Sequence, residues 1–276
     1  MATITSLEEL ARATSEASES ERIELPQIEI IDFESMLIGD VGAKALASAL
    51  ERSVLPKLKS IVLYDNEIGQ EGAKALAKAL ERGMFPALEC ISFSKNDFAD
   101  EGASALMTAF ERGAFPRLED IKLRWNNIGD RGAMAIAAAL KRGRFQALER
   151  VWLSLNRIGT EGAKALASAL EHGHLPELMC IDLHQNGIGD EGATAIAIAL
   201  QRSTRPLLGG IIFNNNHISD EVLRRVHNAA LSARYRGRLL LFLNAESSRC
   251  SAPAKGFLMK DGDRAVAWRT LKFMLL

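Results

Sequence analysis

Several sets of residues in this chain have types and spacings that could do chemistry. His172-x-His174 would place two imidazoles close enough to begin a transition-metal site. Gly69-x-x-Gly72-Ala-Lys74 carries glycines and a lysine in the manner of a phosphate loop, where backbone N–H groups and an ammonium meet an anion. Cys90, Cys180 and Cys250 are potential nucleophiles. Asp and Glu are plentiful enough that a general acid–base pair is worth seeking. Each set fails on its surroundings. No Cys or carboxylate stands at ligand spacing from His172 and His174, and Cys90 has no partner His. The glycine–lysine pattern recurs as Gly159-x-x-Gly162-Ala-Lys164 and lacks the full Walker spacing, so it reads as architecture. The carboxylates are accounted for by helix caps and exposed helix faces. No catalytic residue, metal or cofactor is expected, and the chain does not read as an enzyme.

Recognition is the other chemistry open to these residues. Trp125 and Trp152 stand close to Arg124, Arg150 and Arg157, with Lys122, Leu155, Asp182 and His184 nearby and Tyr64 farther off. Trp, Tyr and Arg are the residues most enriched where proteins bind one another tightly.

The elements that must position these side chains follow from one period. Asn66, Asn96, Asn126, Asn156, Asn186 and Asn216 recur at intervals of 30 residues. Around them Ile61-x-Leu63-x-x-Asn66-x-Ile68-Gly69 returns as Ile121-x-Leu123-x-x-Asn126-x-Ile128-Gly129 and as Ile181-x-Leu183-x-x-Asn186-x-Ile188-Gly189. A fixed period of this kind makes a solenoid in which each unit packs on its neighbours. Within a unit, Leu58, Ile61 and Leu63 are the inward positions of a short strand, while Ser60, Val62 and Tyr64 face outward. The Asn column is expected to bond the backbone of its own turn and of the following repeat, as a structural ladder. Gln70, Asp100, Asp130, Thr160, Asp190 and Asp220 precede the helical pattern and predict N-caps, and Gly83, Gly113, Gly143 and Gly173 predict C′ stops. Ala73, Leu76, Ala77 and Leu80 form the inward helical stripe.

Strands stack at about 4.8 Å whereas helices need about 8–10 Å, so the expected body is a horseshoe, an α/β right-handed solenoid with a concave parallel sheet and convex helices. On the concave face the outward columns put Tyr64, Lys122, Arg124, Trp125, Arg150, Trp152, Leu155, Asp182 and His184 together, with Arg157 in the loop beyond. These are the predicted partner-binding residues.

The residues of this frame resemble leucine-rich repeats of the ribonuclease-inhibitor-like subtype, L-x-x-L-x-L-x-x-N followed by a long helix, over residues 28 to about 230. They look most like the repeats of NOD-like receptors and Ran GTPase-activating proteins. The resemblance implies a scaffold that binds another protein without chemistry of its own. It also implies two alternatives: a regulator of a small GTPase, and, through a C-terminal segment weakly similar to an F-box helix, the substrate-recognition subunit of a ubiquitin ligase. Ribonuclease inhibition is disfavoured, since this face carries Lys95, Lys122, Arg124 and Arg150.

The frame divides the chain into an N-terminal cap (1–25), about seven repeats (26–235) and a C-terminal capping strand and tail (236–276). Residues 6–14 read as a short amphipathic helix covering the core's open end. Leu239, Leu241 and Leu243 read as a last strand, and residues 257–276 as a segment folded onto the final repeat. Met36 replaces the Asn in the first unit, which has no preceding neighbour to serve. A formal net charge of −1 offers no general attraction to nucleic acid or anionic membranes. An odd cysteine count, no apolar leader and no membrane-length apolar run point to a reducing, cytoplasmic setting.

Overall fold

The computed structural model describes residues 2–14, 23–142, 145–202 and 210–232. All belong to one compact unit, Met1–Leu243. The expected last strand at Leu239, Leu241 and Leu243, the segment 257–276, Cys250 and Gly143 lie outside the described residues.

Short strands alternate with helices along the chain. The order is β1 (Ala2–Ile4), α1 (Leu7–Thr14), β2 (Ile23–Glu24), β3 (Ile28–Asp32), α2 (Gly39–Arg52), β4 (Ser53–Val54), β5 (Ser60–Val62), α3 (Gln70–Arg82), β6 (Cys90–Ser92) and α4 (Ala99–Arg112). It continues with β7 (Asp120–Lys122), α5 (Asp130–Lys141), β8 (Arg150–Trp152), α6 (Thr160–His172), β9 (Cys180–Asp182), α7 (Asp190–Arg202), β10 (Gly210–Ile212) and α8 (Asp220–Ser232). Strands β1, β3 and β5 to β10 form one eight-stranded parallel sheet in chain order, and β2 pairs with β4 in a small second sheet. Ile61 lies opposite Ile31 and Ile91, Ile121 opposite Ile91 and Val151, so the strand register repeats the sequence period.

Every second strand residue enters a continuous apolar seam between sheet and helices. Ile61, Leu63, Ile91, Phe93, Leu123 and Leu153 are fully buried, as are Ala73, Leu80, Ala103 and Ala163 from the helices. Alanine at these helix positions brings each helix close to the next. The N-terminal edge is closed by α1, whose Leu10 is buried in the same core, and by β1, whose Ile4 joins it. The strand β1 is absent from the sequence reading. Three residues, Ala-Thr-Ile, are too short to show a period, and only the waiting edge of β3 draws them into the sheet.

The Asn ladder exists, but it reaches back rather than forward. Asn66 Nδ2 donates to the Phe33 carbonyl at 2.7 Å and to Tyr64 of its own turn at 3.1 Å. Its Oδ1 accepts from the N–H groups of Met36 and Ile38, at 3.1 and 3.3 Å. Asn126 likewise serves Phe93 and Phe98 of the unit before it, and Asn216 serves Leu183 and Ile188. Each Asn therefore satisfies the buried loop of the preceding repeat. The direction follows from the turn, which carries the side chain over the end of the previous strand.

The aspartates also act across repeats. The sequence reading makes them caps of their own helices; instead they are already helical and cap the next one. Asp40 Oδ1 accepts from Gly69 N at 2.8 Å and Gly72 N at 2.9 Å. Asp100 does the same for Gly129 and Gly132, and Asp130 for Gly159 and Gly162. The apparent phosphate loop thus does hold an anion, the carboxylate of the neighbouring repeat. A Cβ on Gly72 would stand 2.6 Å from Asp40 Oδ1 and 2.7 Å from Ile68 Cγ2, so this position has no room for a side chain.

At two positions where no aspartate precedes, the loop takes another path. Gln70 replaces the Asp before the third repeat, and Ala99 there adopts φ +49° and donates instead to the Asn126 carbonyl at 2.9 Å. Gly39, with no helix-initial Asp one repeat before it, does the same at φ +54° and bonds the Asn66 carbonyl. Gly129 and Gly159, supplied with Asp100 and Asp130, are extended.

The helix-ending glycines are not left-handed stops. Gly83, Gly113 and Gly173 are extended, with φ between −79° and −73°. Their lack of a side chain makes room: a Cβ on Gly83 would come within 2.3 Å of the Phe85 ring. Along the outer helix ends, Arg82, Arg112, Arg142 and Arg202 pair with Glu51, Glu81, Glu111 and Glu171 of the previous repeat.

Candidate protein-interaction face

The outer face of the sheet is built from three strand positions and the residue that follows them. That fourth residue is left-handed in repeat after repeat: Asp65, Lys95, Trp125, Leu155, Gln185 and Asn215 have φ of 53–59°. Such a conformation is unfavourable for a residue with a Cβ. It is held here by sheet bonds, Trp125 N donating to the Ser154 carbonyl at 3.0 Å and Leu155 N to His184 at 2.9 Å. The turn lifts the side chain off the sheet, and Trp125 is 55% exposed.

The predicted site residues separate into distinct roles. Arg150 is not free to meet a partner. Its Nε and Nη2 bind both oxygens of Asp120, at 2.6 and 2.7 Å, and its Nη1 binds Glu149 at 2.7 Å. The Asp120 hydrogen bonds hold its guanidinium even more firmly charged than usual. Trp152 Nε1 donates to the same Asp120 at 3.3 Å, so this half-buried indole is fixed by the Arg150 cluster. Asp182 is 4% exposed and accepts from its own turn at His184 N. That removes it from the contact surface: its carboxylate holds the turn that presents His184. Tyr64 lies two strands from Trp125, and the Lys95 ammonium sits between them, 5.9 Å from one ring and 6.0 Å from the other, while bonding Asp65 at 2.6 Å.

Lys122, Arg124 and Arg157 differ from Arg150. None has an ion pair or a side-chain hydrogen bond among the described residues. Arg157 is exposed, and Lys122, Arg124, Leu155 and His184 are partly exposed. Trp125 and Trp152 make no ring contact with each other. The Trp125 ring is thus solvent-exposed apart from the Lys95 ammonium over it.

The opposite end of the same face has the opposite sign. Asp32, Glu34 and Asp65 gather over β3 and β5, and the Glu34 carboxyl is raised above the ordinary range by burial and by the charges of Asp32 and Asp65. Sequence reasoning missed the neutralised pairs Glu29–Lys59, Asp65–Lys95 and Asp120–Arg150. The signal was present, since each joins opposite charges one period apart.

The cysteines are chemically quiet. Cys90 and Cys180 are free thiols. Burial pushes both up, Cys180 to about 12, leaving little thiolate at neutral pH. Ser154 is fully buried, and its hydroxyl lacks the partner that Ser94 has in Arg124 N. The equivalent N–H, of His184, goes to Asp182. Among the described residues no three His, Cys, Asp or Glu are placed to hold a metal ion, and no helix is long and apolar enough to cross a membrane.

The repeats match a known family model. Residues 54–77, 87–107, 117–137, 148–167 and 174–197 match the family described as Leucine Rich repeat. Among curated proteins no match is found. Among solved structures, the chain is similar to Leiomodin-1 Actin-Binding Site 2, at 20% identity and TM-score 0.41, over 59% of this chain and 87% of that one. It is also similar to an internalin from Listeria monocytogenes, at 18% identity and TM-score 0.45, over 87% of this chain and 65% of that one. A protein from Bacteroides fragilis aligns at 14% identity and TM-score 0.42, over 83% and 71%.

Proposed function

We propose that this chain, a member of the leucine-rich repeat family, is a scaffold that binds a partner protein on the outer face of its sheet, centred on repeats with strands β7 and β8. The observation that carries the reading is the exposed Trp125 on a face where three cations, Lys122, Arg124 and Arg157, have no ion pair among the described residues. Indole area and guanidinium groups free of internal pairs are what a protein interface uses as anchors. Trp152, Arg150 and Asp120 support it from beneath: a rigid floor lowers the ordering cost of binding. Leu155 and His184 extend the contact surface towards β9.

The protein-binding scaffold is the broad statement. A small GTPase as partner, and a ubiquitin-ligase role, rest on the resemblance alone, and no residue described above favours either. The test is quantitative affinity capture from native extract with the wild-type chain and with the Trp125→Ala, Trp152→Ala double variant. Partners depleted at least tenfold from a folded variant are the expected result. Equal recovery by both proteins refutes the placement.

A further inference from the structure

We infer that the segment taken up by this face is acidic, an extended stretch of Asp or Glu residues flanking an apolar side chain. The inference rests on the placement proposed above and adds the chemistry of the occupant.

It comes from charge accounting on the face. Over β7 and β8, Asp120 and Glu149 are ion-paired with Arg150, and Asp182 is 4% exposed with an oxygen turned to the His184 N–H. Asp97 in the preceding loop is engaged by Asn127 at 2.6 Å. Lys122, Arg124 and Arg157 form no ion pair among the described residues. Lys122 lies in β7, Arg124 and Trp125 follow its end, and Arg157 lies in the loop after β8 two residues beyond Leu155, so the cations fall on adjacent repeats with the indole and Leu155. A basic partner would meet three unpaired cations of its own sign. A neutral partner would desolvate them without replacing their water. An acidic segment pairs with them, and guanidinium groups favour carboxylates by their planar fork geometry.

The far end of the face sharpens the choice. Asp32 and Glu34 form no ion pair among the described residues and disfavour an acidic segment there, whereas Asp65 is paired with Lys95, so the segment is confined to the middle and later repeats. An occupant crossing the sheet would therefore be acidic over β7 and β8 and carry no net negative charge over β3 and β5. A second copy of this chain would offer its Asp32–Glu34 end to the same basic centre, and sedimentation of the free chain distinguishes that occupant.

The experiment is a selection of random twelve-residue peptides on the full chain, followed by fluorescence anisotropy of enriched peptides. They are measured against wild type, the triple variant Lys122→Glu, Arg124→Glu, Arg157→Glu, and Trp125→Ala. Melting curves establish that each variant is folded. Expected are peptides enriched in Asp and Glu, whose affinity falls at least tenfold in either variant and falls again between 50 mM and 500 mM salt. Enriched peptides that carry no acidic bias yet lose affinity in Trp125→Ala would overturn the acidic inference and leave the placement standing. Peptides indifferent to both variants, or no enrichment, would overturn both. Sedimentation showing a dimer of the free chain that the triple variant dissolves would also overturn it, making the occupant a second copy.

Discussion

The Asn column and the outer sheet face belong to the same strands, yet they obey opposite rules. At the end of each strand, Asn66, Asn96, Asn126, Asn156 and Asn186 are buried and make one set of bonds with little change from repeat to repeat. On the outer face, the position of Val62 becomes Ser92, Lys122, Trp152, Asp182 and Ile212 as the repeats advance. The column is uniform because each Asn answers the same need, a loop with buried N–H and C=O groups. The face varies because the frame asks nothing of it. What distinguishes residues on the face is whether a neighbour one repeat away neutralises them: Arg150 is consumed, Arg124 is not.

That contrast can be broken first at the ladder. Asn126→Ala leaves the buried Phe98 N–H without its acceptor and takes one of two donors from each of Phe93 O and Arg124 O, which keep Asn96 Nδ2 and Lys95 N. We expect a loss of about 3 kcal/mol or more in denaturant unfolding. On the face, Asp120→Ala leaves the Arg150 guanidinium without its two-point partner and frees Trp152 Nε1. A smaller loss of about 2 kcal/mol is expected, because the group is partly hydrated. Weakened partner capture should follow, because Trp152 loses the Asp120 bond that holds it.

Asp100→Ala uncaps Gly129 and Gly132, and about 1 kcal/mol should go. Gln70→Asp with Ala99→Gly is the converse change. It supplies the missing cap and releases Ala99 from φ +49°, so a gain of roughly 0.5–1 kcal/mol in the melting transition is the prediction.

The smallest effect concerns pH. The Glu34 carboxyl is raised in the folded state by burial first, then by Asp32 and Asp65. Folding therefore favours its protonated form, and the ionised form costs stability at neutral pH. Glu34→Gln should stabilise the protein at pH 7, and the difference from wild type should close as pH falls through the raised carboxyl value. A difference that widens on acidification would contradict the sign.

Most of the frame was legible in the sequence. Apolar spacing at Ile61, Leu63 and Leu76 gave strand, helix and seam, because the period repeats often enough to average out local exceptions. The partners of polar side chains were less legible. Asn66 and Asp40 look alike whether they bond forwards, backwards or within their own unit, and only the turn geometry decides. The same limit applied on the face. Trp125 and Arg150 read as equal anchors by type, and the difference lies in Asp120, one strand away, binding one of them. Short β1 escaped because three residues carry no period.

Photo-crosslinking tests the central claim most directly. A benzoylphenylalanine in place of Leu155, on the outer face, is compared with one in place of Ala138, exposed on α5. The account predicts a covalent adduct with the captured partner from position 155 and none from position 138. An adduct from position 138 alone would place recognition on the helices and contradict it.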